Sequence, residues 1–143
     1  MKNTFLIILA ILFIVICITC VILINWQTEK EEVQKYNKQY EEYINKEIYG
    51  TDVASLINKA INQNEKNNIE KDEKGYYIDN KQNSIKIDLK MTTIDKTYPM
   101  EEIYNNQTTK FVQNFNLVKF KCVSIEYHEN TGIISRLVFE ELQ

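Results

Sequence analysis

The stretch KEIYGTDVASLINKAINQNEKNN, residues 46–68, holds the most regular helical pattern in the folded part of this 143-residue chain. Its apolar residues fall at i, i+3, i+4, i+7 and i+8 with polar residues opposite, which predicts an amphipathic helix. The apolar stripe consists of Val53, Leu56, Ile57, Ala60 and Ile61. Because such a stripe needs a second layer to cover it, the fold depends on what the flanking sequence offers as a partner.

Gly50 marks the start of this helix. Glycine tolerates the left-handed conformation that ends helices, so Gly50 is predicted to stop a preceding helix. Thr51 then serves as the N-cap, and Asp52 interacts favourably with the helix dipole. A phosphate-binding turn would carry more glycines and a following Lys-Ser/Thr pair. The stretch therefore predicts scaffold and no ligand site.

Immediately upstream, residues 27–49 carry a second helical pattern without Gly or Pro up to Glu47. Its stripe at 3-4 spacing is Val33, Tyr36, Tyr40 and Tyr43. Since tyrosine has an apolar body and a polar hydroxyl, this stripe predicts a half-buried face on a helical stem. Packing against its own domain is favoured, and a seam for protein partners or for a second copy of the chain stays open.

Further upstream lies FLIILAILFIVICITCVILINW, residues 5–26, which are 22 residues without a charge. A helix of this length spans about 33 Å, enough for a bilayer core of about 30 Å. We assign the membrane anchor to Phe5, Leu12, Ile16 and Trp26, with Trp26 at an interfacial position. A cleaved signal peptide is the alternative, but the apolar run is long for one and no small-x-small site follows it.

Charges around this span predict its orientation. Lys2 is the only basic side chain in the short flank 1–4, whereas acidic and basic residues are mixed after Trp26. We expect a single pass through the cell membrane, with the N-terminus cytoplasmic and the C-terminal domain outside. All 20 acidic residues lie after Trp26. This acidic, mixed surface lacks the basic face that nucleic acid requires.

Downstream of residue 68 the hydrophobic period changes from helical to two. Residues 84–91 place Ile85, Ile87, Leu89 and Met91 on one face, which predicts a strand with one buried and one solvated side.

Other elements have weaker patterns. Strands are predicted at 75–79, 117–127 and 133–140. The last two form a hairpin through residues 128–132, and a phase shift in the first of them indicates a β-bulge or burial on both faces. A helix start is predicted near Pro99, and residues 108–115 fit a helix or a strand.

These elements predict an α+β fold. An N-terminal transmembrane helix continues as an amphipathic stem, and a second helix packs on an antiparallel sheet of about four strands through Val53, Leu56, Ile57 and Ile61. The predicted divisions are a flank (1–4), a transmembrane helix (5–26), a stem (27–49) and a small extracytoplasmic α+β domain (50–143).

Few residues are candidates for catalysis, redox chemistry or metal binding. His128, the single histidine, is predicted to be exposed in a turn without a nucleophile, and its neighbours Glu126 and Glu129 make a weak metal site without another His or Cys. Cys17 and Cys20 lie in the apolar span, where cysteine acts as a small apolar residue, and Cys122 alone cannot form a disulfide within the domain. We expect no enzyme activity, no cofactor and no metal site.

An apolar helix that continues as a stem, followed by a sheet domain, resembles the type IV pilins and pseudopilins. That resemblance implies apolar helices packed together in a membrane or filament core, with the sheet domain facing outward. The family's processing motif is absent, since Thr4 precedes Phe5 where the family has Gly, and Leu9 stands where it has Glu. The resemblance thus implies an accessory, membrane-retained component.

Two functions follow as expectations. The first is a non-enzymatic structural or assembly protein that contacts partners through its helix. The alternative is a membrane-anchored binding module for a peptide, a lipid or an envelope polymer. Its groove would be lined by Tyr76, Tyr77, Tyr98 and Tyr104.

Overall fold

The computed structural model describes residues 2–106 and 108–142, apart from the side chains of residues 2, 3 and 5. The helices are α1 (Lys2–Ile44), α2 (Gly50–Lys66), α3 (Met100–Asn105) and α4 (Thr108–Phe115). The strands are β1 (Glu47–Tyr49), β2 (Lys86–Met91), β3 (Lys96–Pro99), β4 (Lys119–Tyr127) and β5 (Ile134–Glu141). The chain divides into two compact units, Met1–Lys35 and Tyr36–Gln143.

The first unit contains helix α1 up to Lys35. Every side chain from Leu6 to Glu32 is exposed, so the apolar residues of this segment have no partner within the described chain. Within the described residues, α1 is the one helix long and apolar enough to cross a membrane, by length and composition. It forms because the run contains no Gly or Pro and satisfies its own backbone hydrogen bonds.

In the second unit, helices pack on a five-stranded sheet of order β1-β4-β5-β2-β3. This confirms the α+β class and the packing of the second helix on a sheet. The sheet is mixed, however, because β2 and β5 pair in parallel whereas the other neighbours are antiparallel. The prediction of about four strands is close to the five observed, but the prediction of an entirely antiparallel sheet was wrong in this one pairing.

The five strands include two short edge strands, β1 and β3, that were not predicted, and one predicted strand is missing. β1 occupies the end of the region predicted as a helical stem, since α1 ends at Ile44 and residues 47–49 pair with β4. β3 lies just before α3, where only a helix start was expected. The strand predicted at 75–79 is absent, because Tyr77 makes only an isolated bridge to Lys71.

The core lies between α2 and one face of the sheet. The four residues of the predicted helix interface, Val53, Leu56, Ile57 and Ile61, are each at most 1% exposed. They share a single apolar cluster with Ile85, Ile87, Leu89 and Met91 of the second layer. Hydrophobic burial across this interface is the main stabilising term of the second unit.

Asn64 joins α2 to the strand region by hydrogen bonds inside the core. Its side-chain amide donates to the Ile85 carbonyl at 2.7 Å, and its side-chain oxygen accepts from the Ile85 N–H at 2.9 Å. Because the amide is fully buried, both bonds form away from water and fix the register of α2 against the sheet.

Gly50 is the first residue of α2, and the physical reason for glycine there differs from the prediction. A Cβ atom at this position would overlap the Phe115 carbonyl oxygen. Tyr49 occupies the N-cap position in place of Thr51, and its N–H donates to the Asp52 carboxylate at 3.1 Å. Gly50 thus permits close approach of two backbone segments rather than ending the stem.

The C-terminal hairpin follows the prediction closely. Residues 128–133 connect β4 to β5, with Gly132 at φ 70° in the left-handed region. The pairing register shifts between Cys122 and Ser124, which confirms the bulge. The bulge leaves Val123 51% exposed, while Phe120 is fully buried.

Candidate functional site

The predicted membrane-anchor residues lie along the exposed part of α1. Leu12 is 58%, Ile16 50% and Trp26 55% exposed. The side chain of Phe5 lies outside the described residues. The Lys30 ammonium sits 3.5 Å from the centre of the Trp26 ring, a cation–π contact at the position where the apolar run gives way to charges.

The stem stripe divides between the two units. Tyr40 is fully buried in the core, and Tyr36 and Tyr43 pack against it, which agrees with packing of the stem on its own domain. Val33 belongs to the first unit. Burial raises the pKa of Tyr36 to about 12. Burial and the neighbouring Tyr36 also raise the pKa of Tyr40, whose hydroxyl has no hydrogen-bond partner within the described residues.

Polar contacts hold residues 36–40 to the domain. The Asn37 amide donates to the Gly132 carbonyl at 2.9 Å, and its oxygen accepts from the Ile134 N–H at 2.9 Å. The Tyr36 hydroxyl donates to the Asn83 carbonyl at 2.8 Å. The end of α1 is therefore fixed to the β4–β5 turn and to the loop before β2.

His128 is buried, and the prediction of an exposed turn histidine was wrong. Only 4% of the residue is accessible, and Nε2 lies 2.7 Å from the Ser84 carbonyl oxygen, which makes Nε2–H the donor. Nδ1 lies 3.5 Å from the Asp79 carboxylate, and that carboxylate also accepts from the Ser84 hydroxyl at 3.0 Å. The Ser84 hydroxyl bonds to Asp79 and not to the imidazole, so this arrangement ties two loops together and lacks a nucleophile–base pair.

Other candidates for chemistry are structural in the described residues. Burial raises the pKa of the Cys122 thiol, which disfavours the reactive thiolate. Glu101 is 5% exposed and accepts the Tyr77 N–H at 3.1 Å. Among the residues described, no three His, Cys, Asp or Glu side chains are grouped so that they could hold a metal ion.

A groove lies between α3, α4 and the strands β2 and β3, with a cavity volume of about 200 Å³. Its floor is apolar and aromatic, formed by Met91, Tyr98, Ile103, Phe111 and Phe115. Met91, Ile103 and Phe111 are held rigidly, since each is at most 9% exposed and belongs to the core cluster. The floor is thus an accessible extension of the hydrophobic core.

The rims of the groove are polar and come from two short helices. Glu102 and Asn106 lie about one turn apart on α3 and its C-cap, and Lys110 and Asn114 one turn apart on α4. Within the described residues the side chains of Asn106, Lys110 and Asn114 make no hydrogen bond or ion pair. The Glu102 carboxylate accepts from the Tyr76 hydroxyl at 3.1 Å.

Only one of the four tyrosines proposed as groove lining reaches this groove. Tyr98 forms part of the floor, and the Lys96 ammonium stands 4.2 Å from the centre of its ring. Tyr76, Tyr77 and Tyr104 are not among the lining residues. Sequence reasoning missed Phe111 and Phe115, although their i, i+4 spacing would have indicated one apolar face had residues 108–115 been assigned to a helix.

The chain was compared with protein-family models, with curated proteins and with solved structures, and none of them matches it.

Proposed function

We propose that this protein is a single-pass membrane protein of the cell surface, a non-enzymatic structural or assembly component related in architecture to the pilin-like accessory proteins. The observation that carries the proposal is helix α1, whose apolar residues from Leu6 to Trp26 are all exposed where described. Such a surface is stable only in an apolar medium, and a lipid bilayer supplies one at the matching thickness.

Orientation follows from the flanking charges. Lys2 precedes the apolar run and mixed charges follow it, which favours a cytoplasmic N-terminus and an external domain. The Trp26–Lys30 pair would then lie at the outer headgroup level, where indole rings and lysine side chains both prefer to be.

Two experiments on separate samples test the anchor and its orientation. One is alkaline carbonate extraction of isolated membranes, and the other is protease treatment of intact wall-free cells. We expect a full-length protein in the carbonate-resistant fraction and digestion of the domain from outside. Recovery in the soluble fraction, or a domain protected until the cells are lysed, would contradict the proposed anchor or its orientation.

Assembly through the helix can be tested with the cysteines already in the span. Cys17 and Cys20 are both exposed on α1, three residues apart. In a Cys122→Ser background, oxidation with copper-phenanthroline in native membranes should cross-link neighbouring chains if the helices pack together. Persistence of the monomer at native density would exclude self-assembly through the face of the helix that carries these two cysteines.

A second candidate function is favoured by the groove. An apolar, accessible floor with polar rims is the usual form of a binding site. In this function the anchor holds a binding module at the membrane surface, and the domain captures its ligand beside β3.

A further inference from the structure

We propose that the groove between α3, α4 and β3 binds a peptide segment through one aromatic or large aliphatic side chain. The inference rests on the second candidate function, that of a membrane-anchored binding module. It specifies the ligand class of that module from the size, polarity and charge of the groove.

The volume of the groove fits one apolar side chain of a longer ligand. The cavity volume is about 200 Å³. Sites for drug-sized molecules measure about 300–1,000 Å³, whereas a cavity of about 150 Å³ accepts benzene. The groove therefore accommodates one ring or branched side chain against Met91 and Phe111, and the remainder of the ligand must lie along the rims.

Polarity and charge select a peptide over an acyl chain. The rims present two side-chain amides, Asn106 and Asn114, and each can donate and accept hydrogen bonds. A peptide backbone offers alternating donors and acceptors for such rims, while an acyl chain offers neither. Glu102 and Lys110 have opposite charges on opposite helices, so a segment with a basic and an acidic residue around its apolar anchor is complementary to them.

The three methionines make the test site-specific. Met91 lies in the floor of the groove, whereas Met100 is fully buried and does not line it. The full chain, labelled with ¹³C at the methionine methyl groups, is placed in phosphatidylcholine nanodiscs, because detergent would compete for the groove. The probe is acetyl-Ala-Lys-Phe-Glu-Ala-amide, and the matched control peptide has Ala in place of Phe.

We expect the Phe peptide to shift the Met91 methyl resonance saturably at sub-millimolar to millimolar concentrations, through the ring current, and to leave Met100 unmoved. The Ala peptide should leave both unmoved. The exposed rim variant Lys110→Glu should weaken the Kd about threefold to tenfold. Lys74→Glu, an exposed lysine outside the groove, should not change it.

The unchanged Met100 resonance in Lys110→Glu verifies that the domain is folded. Three results would overturn the proposal: no shift of Met91 with the Phe peptide, an equal Kd in Lys110→Glu and the parent chain, or a Met91 shift with octanoate alone, which would assign the groove to acyl chains. None of them alters the carbonate and protease results, so the groove proposal and the anchor proposal fail separately.

Discussion

Residues 6–35 and residues 36–142 place similar side chains in opposite environments. Phe13 is 68% exposed in the first unit, while Phe120 and Phe139 are fully buried in the second. From residue 6 to residue 26 apolar residues surround the whole helix, so the sequence marks no single face as the one that another layer would cover. In the second they form stripes that match the other layer.

Polar groups show the same contrast. In the first unit the Thr19 hydroxyl donates to the Ile16 carbonyl at 2.8 Å and the Thr28 hydroxyl to the Ile24 carbonyl at 3.0 Å, within their own helix. In the second unit Asn37 and Asn64 reach residues 97 and 21 positions away. The first unit is thus determined locally, and the second depends on contacts distant in sequence.

Charges introduced into the anchor should produce the largest effect. One central arginine costs about 2.5–3.5 kcal/mol of insertion, whereas the 16 Leu, Ile, Phe and Val residues of the span together contribute about 7 kcal/mol. We expect Ile16→Arg still to insert. The double variant Leu12→Arg/Ile16→Arg costs about 6 kcal/mol and also loses about 1 kcal/mol of apolar contribution, so insertion is near balance and a substantial part of the protein should appear in the soluble fraction on carbonate extraction.

The domain should keep its protease resistance in both anchor variants, because its core contains no residue before Tyr36. Loss of that resistance in the double variant would show that the two units fold together, and the comparison between them would then fail.

Gly50→Ala should produce the largest effect within the second unit. The new Cβ would overlap the Phe115 carbonyl, and relieving such an overlap costs about 3 kcal/mol. Gly75→Ala is the matched control, since Gly75 has φ +82° but open space around its Cβ position, and we expect about 1 kcal/mol. Urea unfolding of the full chain in micelles measures both, and equal losses would contradict the close-approach explanation.

Removing the hydroxyls of Tyr36 and Tyr40 should have different effects on the free energy of unfolding. Tyr36→Phe loses the bond to the Asn83 carbonyl, and we expect a loss of about 1 kcal/mol. Tyr40→Phe removes a buried hydroxyl that has no partner in the described residues, and we expect no loss or a gain of up to about 1 kcal/mol. The same urea titrations measure both, and a clear loss in Tyr40→Phe would indicate a buried water at that hydroxyl.

The smallest effect concerns Asp79 and its pH dependence. Burial raises the pKa of Asp79, but hydrogen bonds from the Lys81 N–H and the Ser84 hydroxyl, with the nearby His128 and Lys86, outweigh it and lower the pKa. A lowered pKa stabilises the fold above about pH 4, and this contribution is lost as pH falls through the folded-state pKa.

Asp79→Asn keeps a side-chain acceptor but removes the charge. We expect its Tm to lie below that of the parent chain at pH 7 by no more than about 4 °C, since Asp79 is half exposed. The difference should close once the pH falls below the folded-state pKa of Asp79. Glu73→Gln, on an exposed loop, is the control. A difference that persists at low pH would assign the effect to geometry instead of charge.

Much of the second unit was predictable from sequence where a pattern was long enough. The helical stripe Val53–Ile61 and the alternation from Ile85 to Met91 each extend over at least two periods, and the structure has both. The bulge near Cys122 was recognisable because it interrupts the alternation of a long strand. β1 and β3 have three and four residues, too short for alternation to appear. His128 looked exposed because its partners, Ser84 and Asp79, lie more than 40 residues away.

The sequence by itself determined the apolar helix, the second amphipathic helix and the α+β class, because periodicity and length are local properties that need no partner to be recognised. Only the tertiary structure decided the parallel pairing of β2 with β5, the need for glycine at position 50 and the groove beside Tyr98. Each of these depends on which distant segments meet. Such long-range contacts are set by packing of the whole core, and no local sequence pattern encodes them.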